Sequence, residues 1–169
     1  MKKHLLKFLT VGLLFSTNLL SAQDGNRKIG VGLQTSFPVY GISAKIGITD
    51  QIMAQAIIAP FGGSAGTVGY SLNFYGARGI YRFTDADRVA VPYGFAGAGL
   101  IRSTFTSGTT STSANIVGWS LGAGLEFFPN FLDNLGLSVE LGYGSMSVGT
   151  GNVAFSSMTY GGGLHYYFN

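Results

Sequence analysis

The sequence predicts an all-β protein, an eight-stranded antiparallel up-and-down transmembrane β-barrel. Three observations lead there. Beyond residue 22 the chain leans apolar, yet it holds no run of about eighteen apolar residues that could cross a bilayer as a helix. Over segment after segment the apolar residues return at every second position, the period of a strand whose two faces meet different surroundings. The chain is also rich in glycine (27) and in Phe and Tyr (13 and 9), while charged residues make up 10%. Lipid offers the backbone no hydrogen bonds, so a membrane chain without spanning helices has one other solution, a closed barrel.

The first 22 residues stand apart. Lys2, Lys3 and Lys7 make a basic start, Leu5 to Leu20 is almost wholly apolar, and Ser21-Ala22 precedes the polar Gln23-Asp24-Gly25. That is the layout of a secretory signal peptide, with cleavage expected after Ala22 and one barrel domain over 23–169. The apolar stretch is short for a membrane anchor, and a small-residue site follows it at once. Three of the ten Lys+Arg residues leave with the signal, so seven remain against seven Asp+Glu. The formal charge of +3 therefore belongs to the export signal, and no nucleic-acid partner is expected. The chain has no cysteine, so neither a disulfide nor a cysteine-linked lipid can hold it.

Strand by strand, alternation assigns the faces. In the first strand Ile29, Val31 and Leu33 point outward between Gly30, Gly32 and Gln34. The second sets Tyr40, Ile42, Ala44, Ile46 and Ile48 against Gly41, Ser43, Lys45 and Gly47. Over 52–59, Ile52, Ala54, Ala56 and Ile58 face out and Gln55 in. Over 70–83, Tyr75, Ala77, Gly79, Tyr81 and Phe83 face out and Arg78 and Arg82 in. Leu72 and Phe74 fall out of phase there, which predicts a bulge. Over 91–103, Val91, Tyr93, Phe95, Gly97, Gly99 and Ile101 are expected outside and Arg102 inside. The last three strands are the cleanest. Val117 to Phe127 sets Trp119, Leu121 and Leu125 outward and Ser120 and Glu126 inward. Leu135 to Tyr143 turns Glu140 inward, and Met158 to Phe168 turns His165 and Tyr167 inward. Turn-like separators lie between them, among them 49–51, 61–69, 84–90, 107–115, 129–134 and 147–157.

The segments "YGARGIYRFTDADRVAVPYGFAGAGL", "GLEFFPNFLDNLGLSVELGYG" and the ending "YGGGLHYYF" carry a family likeness. They resemble the small eight-stranded outer-membrane barrels of Gram-negative bacteria, the OmpX and OmpA transmembrane-domain type. The resemblance implies a place in the cell outer membrane, with outer-membrane lipid around a single copy of the barrel. It implies a structural or surface-interaction role without catalysis, or alternatively a small-solute, porin-like channel with a charge-gated narrow lumen. It also implies a C-terminal signal read by the barrel-assembly machinery, formed here by Gly163, Tyr166 and Phe168. The same two aromatics suit an interfacial girdle.

No catalytic, metal or cofactor site is expected. The glycine-rich "GFAGAGL" and "GWSLGAGL" lack the Lys-Ser or Lys-Thr ending and the following helix of a phosphate loop. His165 is the one histidine after the signal, and the position two residues on, where lipid-deacylating barrels carry serine, is Tyr167. What stands out is a set of inward ionic residues: Lys45, Arg78, Arg82, Arg102, Glu126 and Glu140. An eight-stranded barrel is just wide enough for side chains to fill, and buried charges must pair. The set is therefore expected to plug the lumen, each glutamate meeting more than one base. With both termini in the periplasm, Asp50, Asp85, Asp87 and Asp133 mark the periplasmic turns. The outer connections are then free of charge, and the third is rich in Ser and Thr.

Overall fold

The computed structural model describes residues 27–85, 88–132, 134–148 and 153–168. The expected signal peptide, Asp87 and Asp133 lie outside the described residues. Eight strands run in chain order: β1 (Ile29–Ser36), β2 (Val39–Gly47), β3 (Ile52–Ala65), β4 (Val68–Arg82), β5 (Ala90–Ser107), β6 (Thr110–Phe127), β7 (Leu135–Val148) and β8 (Val153–Phe168). Each pairs antiparallel with its sequence neighbour, and β1 pairs with β8 from Ile29↔Phe168 to Thr35↔Gly162, closing the ring. The all-β transmembrane barrel read from the sequence is the fold.

The outward face meets the demand a bilayer makes. Val31, Leu33, Ile42, Ile58, Leu121, Val139 and Leu141 are exposed along the wall. Tyr81, Phe83, Phe127, Tyr166 and Phe168 ring the end that carries the termini; Tyr40, Tyr75, Trp119, Tyr143 and Tyr160 ring the other, hairpin end. An apolar band between two aromatic girdles is the outer surface of a lipid-embedded barrel.

Three expectations change. The bulge at Leu72 and Phe74 is absent: β3 and β4 pair without interruption from Ile52↔Tyr81 to Ala65↔Val68. The expected loops at 61–69 and 107–115 are continued strands, joined by the two-residue turns Gly66-Thr67 and Gly108-Thr109, and in the expected loop at 147–157 the residues 147–148 and 153–157 are paired strand as well. Each glycine has φ +60°, as the first central residue of a type II′ hairpin turn requires and as L side chains resist. A Gly-X pair flanked by β-formers was the signal in the sequence. Because of these extensions β3–β6 stand past the closed ring: β2 pairs with β3 only as far as Ile42↔Ile58, and β6 with β7 as far as Ile116↔Val148.

The third change is the phase of β5. Val91, Tyr93 and Phe95 are buried inside the barrel, and Arg102 lies exposed on the outer side. The register compels this, because directly paired residues share a face. Tyr93 pairs with Arg82 and Gly97 with Arg78, both inward, whereas Arg102 pairs with Asn73 and Asn115. Both faces of β5 are apolar through the ring, so its own periodicity carried no preference. Arg102 sits where the outer face has left the apolar band, and there a charge faces polar surroundings.

Candidate functional site

The lumen is filled in three layers. At the terminal end Met53, Ile80, Val91 and Phe128 form an apolar floor with the rings of Tyr93, Phe95 and Tyr167. Arg27 covers this floor, its guanidinium 3.6 Å from the centre of the Phe128 ring.

Above it lies the ionic layer, formed from five of the six predicted residues. Lys45 Nζ donates to Glu126 Oε1 at 2.8 Å, and both side chains are almost wholly shielded from solvent. Tyr167 donates its hydroxyl to the same carboxylate, 2.8 and 2.9 Å from its two oxygens. Arg82 approaches Glu126 Oε2 at 4.0 Å and donates to the Arg27 carbonyl at 3.4 Å. Glu126 therefore meets two bases, as expected. Glu140 meets one: Arg78 grips it in a bidentate fork, one arm at 2.9 Å. Its other partners are neutral, Tyr93 donating at 2.6 Å and Ser36 donating through a short hydrogen bond. Fork geometry and added neutral donors satisfy a buried carboxylate's remaining lone pairs.

Arg102 is absent from this layer, which corrects the sequence expectation. The described lumen holds three bases and two acids, one positive charge in excess. Tyr93, Ser36, Gln34 and Ser43 were not singled out as members. For Tyr93 the sequence carried no signal in its own strand; pairing with Arg82 supplies it. Glycines make room for these groups. A Cβ at Gly124 would lie 2.5 Å from the Tyr93 ring, and one at Gly163 2.5 Å from Gln34 Oε1. Gly163, expected as part of an assembly signal, thus has a packing requirement of its own.

Neutral side chains knit the ionic layer together. Gln55 accepts from Arg78 Nε at 2.5 Å and donates to Ser43 at 2.5 Å. His165, fully buried, sets Nε2 2.9 Å from Ser43 Oγ, while its Nδ1 has no hydrogen-bond partner among the described residues. A serine does meet the histidine, but among the described residues no carboxylate bonds the ring from the other side, as a triad requires.

The third layer closes the hairpin end. The β1–β2 connection Phe37-Pro38 turns inward with Val39, which is buried. Ser120 Oγ donates to the Phe37 carbonyl at 2.9 Å. Glycines from four strands form the seat. A Cβ at Gly99 would lie 2.0 Å from Val39 Cγ2 and one at Gly76 2.9 Å from it. One at Gly118 would lie 2.8 Å from Pro38, and one at Gly144 2.7 Å from the Phe37 ring. Ser36, beside this lid, is the hydroxyl bound to Glu140, so lid and ionic layer are one connected structure. Among the described residues no group of three or more His, Cys, Asp or Glu could hold a metal.

Fold and lumen together define a small transmembrane barrel with a packed interior. No protein-family model matches the chain, and no curated protein matches it by sequence. Solved structures do. The attachment invasion locus protein Ail of Yersinia pestis, in complex with the heparin analogue sucrose octasulfate, aligns with a TM-score of 0.51 at 18% identity, over 83% of this chain and 96% of that one. Neisserial surface protein A aligns at 0.48 and 20%, over 83% and 93%. The N-terminal β-barrel domain of Pseudomonas aeruginosa OprF aligns at 0.47 and 19%, over 82% and 95%. The chain shares the fold of small eight-stranded outer-membrane barrels.

Proposed function

We propose that the chain is an integral outer-membrane barrel with a structural or surface-interaction role and no catalytic activity. It lies with its termini in the periplasm and the β3–β6 hairpins outside. The observation that carries this reading is the closed lumen: an apolar floor, a paired ionic layer and an inserted lid lie in series along one axis. The Ser43–His165 contact is shielded from solvent, which supports a non-catalytic role. The Ail structure contains a polysulfated ligand. Here the hairpin half exposes one charged residue among those described, Arg102, too little positive charge to carry that ligand over.

Planar-bilayer recording tests the reading against the porin-like alternative. The refolded barrel is expected to give no steady single-channel conductance at moderate voltage, and well-defined conductance steps would make the chain a channel.

Assembly is proposed to depend on the end of β8. The rings of Tyr166 and Phe168 meet edge to face, 5.3 Å apart, on the outer surface at the terminal end, where the assembly machinery and the interfacial girdle would both use them. Tyr166→Ala with Phe168→Ala is expected to leave unfolded protein in the periplasm without the heat-modifiable gel mobility of a folded barrel. Normal assembly of the double variant would reduce these rings to girdle residues.

A further inference from the structure

Arg102 sits in a setting built by three strands. Asn73, Arg102 and Asn115 are directly paired across β4, β5 and β6 and form one row on the outward face. The next row toward the hairpin tips is Ser71, Thr104 and Ser113, with the Thr104 and Ser113 hydroxyls 3.2 Å apart. The row below is Tyr75, Leu100 and Val117, the rim of the apolar band. Rows on one face are two residues apart, about 7 Å along a strand. The headgroup layer on each side of a bilayer is about 5–8 Å thick. The guanidinium therefore lies within headgroup reach, among amides and hydroxyls and with no acid in its row or the next.

We propose that this panel binds the phosphate of a membrane glycolipid in the surrounding leaflet. Arg102 forms the charge-assisted contact, and the flanking Asn, Ser and Thr side chains bond the phosphate oxygens and adjoining sugar hydroxyls. Arginine suits the task because its fork of fixed donors matches phosphate geometry. One cation is enough because the ligand is held at high local density in the plane of the membrane. The inference rests on the orientation proposed above, with the hairpins on the outer side.

The test reconstitutes the full barrel in phosphatidylcholine vesicles doped with lipid A or with its dephosphorylated form. Lipid retained after detergent extraction is then counted by native mass spectrometry. Lipid A is expected to be retained and the dephosphorylated lipid lost. Arg102→Gln should weaken retention about tenfold, the scale of a lost charge-assisted hydrogen bond, with Arg102→Lys in between. Heat-modifiable migration verifies that each variant is folded. Equal retention of the two lipids, or retention unchanged by Arg102→Gln, overturns the proposal. So does saturable binding of inorganic phosphate to the detergent-solubilised barrel, which would make the ligand a free anion. Labelling Thr109→Cys from outside intact cells checks the orientation separately, so a failure there is distinguishable from failure of the lipid site.

Discussion

Glu126→Gln is expected to destabilise the barrel by about 3–5 kcal/mol, the scale of breaking a buried ion pair from one side. Lys45, 2% exposed, would keep its charge with an amide in place of a carboxylate, and Arg82 would lose its nearest acid. Tyr167 would lose the anionic character of its acceptor. Urea unfolding in lipid vesicles measures the loss as a shift of midpoint. The same substitution combined with Lys45→Met should cost less, because Lys45 is then no longer a buried charge facing an amide, while Arg82 keeps its bonds to the Arg27 carbonyl. Glu140→Gln is expected to be comparably costly, since Tyr93 and Ser36 donate to opposite oxygens of Glu140, so an amide leaves one of them facing an NH2 group, and Arg78 loses its carboxylate. An unchanged midpoint for Glu126→Gln would mean that water fills the ionic layer and screens it.

Gly99→Ala is expected to unseat the lid. The added methyl carbon would lie 2.0 Å from Val39 Cγ2 and 3.1 Å from Pro38 Cγ. Val39 cannot retreat freely, because it is also packed on Gly76. Overpacking of this kind costs about 1–3 kcal/mol. Two measurements separate a displaced lid from general damage. Introduced into a Val39→Cys background, Gly99→Ala should speed thiol labelling of the otherwise buried position 39. In a Val39→Ala background Gly99→Ala should cost little stability, because the colliding methyl group is gone. Equal cost in both backgrounds would show that the strain lies in the β-ladder and not between seat and lid.

Much of this was legible in the chain itself. Alternation in β1, β2, β6, β7 and β8 set lipid-facing against lumen-facing residues without ambiguity, because each of those strands carries apolar residues on one face and Gly, Ser or charge on the other. Lys45, Glu126 and Glu140 could be placed inside for the same reason, and Arg78 and Arg82 by the alternation of the terminal half of β4. A two-residue period in a strand of known surroundings is a local property, and local properties survive in sequence. What the tertiary structure alone decided is whatever depends on neighbours. The phase of β5 came from its pairing with Arg82 and Arg78, since both its faces are apolar within the ring; that pairing moved Tyr93 into the network and Arg102 out to the membrane surface. Which base meets which acid depended on how side chains from non-adjacent strands meet across the lumen. The lid depended on four glycines from β4, β5, β6 and β7, each of which in sequence reads only as a small residue in a strand. Their common purpose is the space they leave around one turn, and that space exists only once the ring has closed.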